Sequence, residues 1–269
     1  MTHLAKAAAA ALGSAVLSVP AVAQAPAAAL PAAGMRVELA YDGRLRVKVL
    51  DVRVNAEVDG DSYSVNSRMV SSGALALVRR LDQRASASGA LDDGAARPRS
   101  FQHRNGNERS VRVTWSGGDA TSIATPAYPD EGAVPVTRAQ RLEAADPLTQ
   151  AVALSLTAQG RDPCARTLRI YDGHRRYDVV MTSRGSRSPD AREQRIGLTE
   201  PTVCAVRMRP VSGHRPRRTE ERRRPERPIQ VSLARLGVNG PWVLSSLVTR
   251  TPLGPAVMEL REGRVSYSR

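Results

Sequence analysis

From residue 35 onward, apolar and polar side chains alternate with a period of two, and Asp-Gly, Gly and Pro residues cut the runs. Such alternation puts the apolar groups on one face of an extended chain, so the pattern predicts half-buried β-strands joined by turns. The first strand is expected over Met35 to Tyr41, ending at Asp42-Gly43. Leu45, Val47 and Val49 share one face, whereas Val52, Val54, Ala56 and Val58 continue on the other phase. A β-bulge near Val49-Leu50 reconciles the two. Asp59-Gly60 reads as a type I′ hairpin pair leading into Tyr63 to Val70. Residues 73–78, GALALV, fit either a short helix or the start of a strand over Arg79 to Ser88, and Asp92-Asp93-Gly94 is a turn. Further strands are expected at Arg99 to His103, Ser110 to Trp115, Ile196 to Pro210, Pro228 to Leu236 and Trp242 to Thr249. The last pair, Val257 to Arg261 and Arg264 to Tyr267, is joined at Glu262-Gly263.

One stretch departs from the strand period. After a proline-rich loop at residues 124–135, Asp146 is placed to cap a helix and Pro147 suits its first position. Leu148, Ala151, Val152 and Leu156 then recur at helical spacing. A short helix with this stripe would plug or cover an open sheet.

Leu168 to Met181 reads as a hairpin with a two-residue turn at Asp172-Gly173. That register sets Tyr171 opposite His174, Ile170 opposite Arg175, Arg169 opposite Arg176 and Leu168 opposite Tyr177. Leu168, Ile170, Tyr177, Val179 and Met181 then share the core face, and Tyr171 joins the polar residues on the other. Arg169, His174, Arg176 and Asp178 form a candidate patch on that outer face, either salt-bridged within itself or open to an anionic group or a partner.

The N-terminus changes the setting of these strands. His3 and Lys6 precede an apolar run, Ala7 to Val19, and Pro20-Ala21-Val22-Ala23 ends in a small-x-small pattern. This is the form of a secretory signal, with cleavage expected after Ala23. The run is too short for a membrane span, and Gln24 to Gly34 reads as an Ala/Pro-rich flexible tether. Export to an oxidising compartment makes Cys164 and Cys204, the only cysteines, candidates for one disulfide. The competing reading is a tetrahedral zinc site made with His174 and His214, although their spacing matches no usual chelating loop. The formal charge is +14, and 38 of the 40 basic residues are Arg. The excess fits a solvated surface or attraction to anionic envelope components such as lipid head groups, lipopolysaccharide or acidic glycans. Nucleic acid is disfavoured by export and by only nine aromatic residues available for stacking. The densest charge run, Arg215 to Arg227, lies between two expected strands and reads as a long solvated loop.

Several segments together carry a resemblance: DPLTQAVALSL from Asp146, CARTLRIYDGHRRYDVVM from Cys164, and PTVCAVRMRPVSG around Cys204. With DGDSYSVNSRMVSSGALALV, SFQHRNGNERSVRVTW and LVTRTPLGPAVMEL in order, the chain resembles the exported proteobacterial family called domain of unknown function 3108. The resemblance covers Met35 to Tyr267, and the Arg215 to Arg227 run departs from it as a loop expansion. It implies an all-β fold, a long antiparallel sheet curled into an open barrel or spiral, with the short helix against it. It implies a single domain over residues 35–269 and an envelope location, and it brings no catalytic residues.

Catalytic signatures are missing from the sequence: there is no GxSxG elbow, no HExxH and no P-loop. No cofactor is expected. The leading expectation is a non-catalytic periplasmic protein that binds a partner or an anionic envelope component. The alternative is a carrier for a lipid or other apolar ligand in the barrel interior, and an envelope-polymer hydrolase comes third.

Overall fold

The computed structural model describes residues 34–78, 80–92, 94–106, 108–129, 132–158, 160–215, 229–251 and 254–268. The expected signal and most of the tether lie outside them, as does the charged run apart from Arg215. The described strands are β1 (Met35–Arg44), β2 (Lys48–Asp59), β3 (Ser62–Ser71), β4 (Asp82–Asp92), β5 (Ala95–Asn105), β6 (Arg109–Ser116) and β7 (Asp119–Thr125). They continue with β8 (Arg166–Tyr171), β9 (Arg176–Ser186), β10 (Leu198–Ser212), β11 (Ile229–Leu236), β12 (Trp242–Thr251) and β13 (Gly254–Tyr267). Four short helices interrupt them: α1 (Gly73–Val78), α2 (Arg138–Leu142), α3 (Pro147–Ser155) and α4 (Ala191–Arg195).

All thirteen strands form one antiparallel sheet, in the order β7-β6-β5-β4-β3-β2-β1-β13-β12-β11-β10-β9-β8. Two meanders meet where β1 pairs with β13, so the first and last strands lie in mid-sheet and β7 and β8 are the edges. The all-β expectation holds: the sheet curls into an open, unclosed barrel. Strand twist drives the curl, and bulges sharpen it locally. One bulge is the expected one, since Gly43 pairs with Leu50 and Arg44 with Lys48, which leaves Val49 over.

Four expectations need correction. The first strand runs through Asp42-Gly43 to Arg44 and bends only at Leu45 to Val47. Glu262-Gly263 is not a turn but lies inside the continuous β13, paired with Ala40 and Leu39 around a second bulge at Arg261. In both cases glycine serves close approach rather than reversal. A Cβ at Gly263 would lie 3.0 Å from Leu236 Cδ1, and one at Gly43 would lie 2.8 Å from Leu50 Cβ. The hairpin after β2 turns at Gly60-Asp61, one place later than expected, and of these only Gly60 takes positive φ, so the turn is not type I′. A strand was also missed: β7 follows a turn at Gly117-Gly118. The GALALV segment resolves as helix.

Helix α3 sits inside the curl. It touches β3, β4 and β5 on one side and β8 and β12 on the other. The larger core cluster surrounds it and includes Tyr63, Val65, Phe101, Val113, Val152 and Leu260. A smaller cluster is built on Cys164 and Cys204 with Met181, Val231, Leu233 and Trp242.

Candidate ligand cavity

The sequence DPLTQ fixes α3 residue by residue. Asp146 is fully buried, and its Oδ1 accepts from the N–H groups of Leu148 and Thr149 at 3.0 and 2.9 Å. The Thr149 hydroxyl donates to Asp146 Oδ2 at 2.5 Å, so Tyr63 in β3 donates in turn to Thr149 Oγ1 at 2.6 Å. Burial pushes the Asp146 carboxyl above its ordinary range, and these hydrogen bonds oppose the rise. Pro147 opens the helix where no N–H is required, and Gln150 Nε2 donates to Arg169 O at 2.9 Å. The helix is thereby pinned to both halves of the sheet, and its apolar stripe is held over a space that the sheet does not fill.

That space is a cavity of about 470 Å3 between α3 and the inner faces of β1–β3 and β9–β13. Leu148, Ala151, Val152 and Leu156 of the helix face it, across from Val54, Met258 and their neighbours. Its wall is apolar except for Tyr41, Ser155 and Trp242. Burial raises the Tyr41 phenol above its ordinary pKa, so its O–H stays protonated. The Trp242 indole N–H is buried and has no hydrogen-bond partner among the described residues. One face of the indole lies under Arg235, whose guanidinium carbon is 4.6 Å from the ring centre. Met208 in the wall is 47% exposed and Ala151 is exposed too, so the cavity reaches solvent there. No carboxylate, histidine or cysteine lines it. This chemistry suits the binding of an apolar molecule and offers no acid–base pair for hydrolysis.

The hairpin patch comes out differently from its expected form. The loop has four residues, Asp172 to Arg175, so Tyr171 pairs with Arg176, Ile170 with Tyr177, Arg169 with Asp178 and Leu168 with Val179. The longer loop forms because Asp172 Oδ1 accepts from the N–H groups of His174 and Arg175 at 3.0 and 2.7 Å, which caps a wider turn. Arg176 is buried and donates to Asp178 at 2.6 Å. His174 stacks on Tyr128 with ring centres 3.8 Å apart, and Arg169 points out toward Glu143 at 3.5 Å. Arg169, Arg176 and Asp178 thus share one face of the hairpin, salt-bridged within itself through Arg176 and Asp178, while His174 stands apart in the loop.

The motif instead holds the two sheet edges together. Gly173, at φ +93°, lies against β6, where a Cβ would stand 2.5 Å from Val111 Cγ1, and its carbonyl accepts from Ser122 of β7 at 2.6 Å. Beside it, Ala145 bridges to β8, donating to Arg169 O and accepting from the Tyr171 N–H, and Arg141 of α2 pairs with Asp119 of β7 at 3.0 Å. Gly173→Ala is expected to destabilise the fold by about 1–3 kcal/mol through this clash and the positive φ. Chemical denaturation would show it, and an unchanged midpoint would contradict the clasp.

Cys164 and Cys204 are joined in a disulfide with Cα atoms 5.4 Å apart, which takes both sulfurs out of the zinc combination. His214 Nε2 lies 3.2 Å from Arg176 O. Sequence reasoning missed a buried carboxylate, Glu193. It meets Arg187 through two hydrogen bonds of 2.6 and 2.7 Å and accepts from Ser245 Oγ and the Asp190 N–H. The capping-box pattern Asp190-x-x-Glu193 was the available signal.

No curated protein gives a significant match. Among solved structures, the chain is similar to the crystal structure of a beta-barrel-like protein of domain of unknown function DUF1849 from Brucella abortus, at 14% identity and a TM-score of 0.49, covering 88% of this chain and 99% of that one. The profile of the family described as "Protein of unknown function (DUF3108)" matches residues 36–261. The curled sheet, with the pinned helix and clasped edges that its motifs build, belongs to a member of the DUF3108 family.

Proposed function

We propose that this protein is an exported, non-catalytic carrier of a single apolar, chain-like ligand of the acyl-chain class, held between α3 and the inner face of the sheet. The observation that carries the reading is the open, apolar cavity of about 470 Å3. Its size falls within the range of about 300–1,000 Å3 for small-molecule sites. A folded chain does not leave this much apolar wall half-covered without cost. An acyl chain would recover roughly 0.8 kcal/mol for each buried CH2. The polar groups at the wall, Tyr41 and Trp242, are neutral donors suited to a carboxyl or ester end. The signal-like pattern of residues 1–23 supports an exported setting, where a lipid needs a carrier between membranes. Of the two non-catalytic readings, the cavity favours this one over a purely structural role, and the absence of titratable carboxylates in its wall argues against hydrolysis there.

Titration of delipidated protein with a fluorescent polyene fatty acid tests the proposal. Saturable binding is expected, and Ala56→Trp, which fills the cavity from β2, should weaken it at least tenfold. Glu57→Gln, on the outer face of the same strand, should leave it unchanged. Absence of binding, or equal binding by Ala56→Trp, would count against the carrier.

A further inference from the structure

Strand β2 presents Val52, Val54 and Ala56 to the cavity and Arg53 and Asn55 to the opposite face. On that outer face, four arginines stand in directly paired positions on successive strands. Arg53 is opposite Arg68, Arg68 opposite Arg84, and Arg84 opposite Arg104. Like charges placed directly opposite destabilise a sheet, so the row works against the fold. One carboxylate relieves it: Asp82 pairs with Arg68 at 2.9 Å and with Arg84 at 3.4 Å. Arg53, Arg104 and Arg112 have no ion-pair partner among the described residues. A second paired row runs beside the first, from Asn55 through Asn66, Ser86 and Gln102 to Arg112. Together the rows line a groove of about 800 Å3; no carboxylate is among its lining residues, although Asp82 pairs with two of them, Arg68 and Arg84.

We propose that this groove binds a linear acidic polysaccharide, a polyuronate, laid across the strands. Three features select this occupant. Neighbouring strands stand about 4.8 Å apart, a step close to the length of one sugar ring, so one carboxylate per sugar meets one arginine per strand. Guanidinium groups grip carboxylates through paired hydrogen bonds, and the Asn, Ser and Gln row offers partners for sugar hydroxyls. No Phe, Tyr or Trp lines the groove, and His103 is its one ring, so it offers no row of stacking platforms for successive nucleic-acid bases. Its apolar side chains, Ala85, Val111 and Ile123, are few and set among arginines, unlike the broad apolar face by which interfacial segments enter a bilayer.

The test is titration of the full mature chain with an oligogalacturonate at low salt. A neutral maltooligosaccharide, an oligothymidylate and phosphatidylglycerol vesicles serve as comparisons. Oligogalacturonate should bind, and rising salt should weaken it. The triple variant R53Q/R104Q/R112Q breaks no ion pair within the fold, so its melting temperature should not fall. It should lose roughly tenfold or more in affinity, as expected for several exposed charge pairs acting together. It should also keep its uptake of fatty acid, since that cavity lies on the other face. Failure to bind oligogalacturonate, equal binding by the triple variant, or tighter arginine-dependent binding of the oligothymidylate or vesicles would overturn the proposal.

Discussion

Replacing both cysteines, Cys164→Ser with Cys204→Ser, is expected to lower stability by about 4 kcal/mol. The bond closes a loop with a sequence separation of 40, and in the chain-entropy account a loop of that length stabilises the fold by about this amount. Both sulfurs are fully buried, beside Met181, Leu233 and Trp242, so the serine hydroxyls also enter an apolar cluster. For a domain of this size the loss lowers the melting temperature by roughly 10 °C. A functional effect follows from position. Cys164 lies shortly after α3, and its partner is in β10, so the bond anchors the chain leaving the helix to the far wall of the cavity. The variant should therefore also bind acyl chains less tightly. Thermal melts of the oxidised wild type and the double variant check this, and coincident curves would contradict it.

The second large effect is expected at Glu193. Its carboxylate is fully buried, with Arg187 in two-point contact and Ser245 and the Asp190 N–H as further donors. Arg192 continues the cluster, donating to Leu260 O at 2.7 Å and Ser245 Oγ at 3.0 Å, which ties α4 to β12 and β13. Glu193→Ala strips the carboxylate from this cluster of cations and should cost about 3–5 kcal/mol. The same site gives the fold a signature in acid. Burial alone would raise the Glu193 carboxyl, but hydrogen bonds from Arg187, Ser245 and Asp190 outweigh it and hold the pKa at about 2. A carboxyl depressed in the folded state contributes stability that is complete above its ordinary value. That contribution is lost as pH falls through the folded value, here from about 4.5 down to about 2. The shift corresponds to roughly 3 kcal/mol. Glu193→Gln should flatten the fall in stability between neutral pH and pH 2, as urea titrations at several pH values would show. A slope equal to that of wild type would contradict the assignment.

Much of this architecture is readable locally. The cap, proline and stripe at Asp146 to Leu156 specify α3 without help from distant residues, and period-two alternation reveals most strands. The Cys164–Cys204 bond is the one pairing that two cysteines allow. What the sequence hides depends on contacts far apart in the chain. The Asp172 hairpin docks Gly173 on Val111, about sixty residues away. Gly43 and Gly263 resemble turn glycines until the side chains they make room for are known. The outer-face phase of Arg53, Arg68, Arg84 and Arg104 is visible strand by strand, but their alignment depends on three registers that no single strand encodes. The cavity is hidden for a similar reason. Alternation shows which side chains face inward, but not how far the sheet curls before α3 stops it.

The two faces of β2 then suggest a division of labour in one curled sheet. The inner face is apolar and half-covered, and the outer face is cationic and grooved. Under the carrier reading, the inside holds the cargo and the outside determines where in the envelope the carrier rests.

Native mass spectrometry of the protein purified gently from its native cells tests the central claim most directly. The account predicts a one-to-one, lipid-sized adduct on the wild-type chain that is absent from Ala56→Trp and retained by R53Q/R104Q/R112Q. A wild-type chain that appears only as the bare mass, and that takes up no fatty acid when offered one, would contradict it.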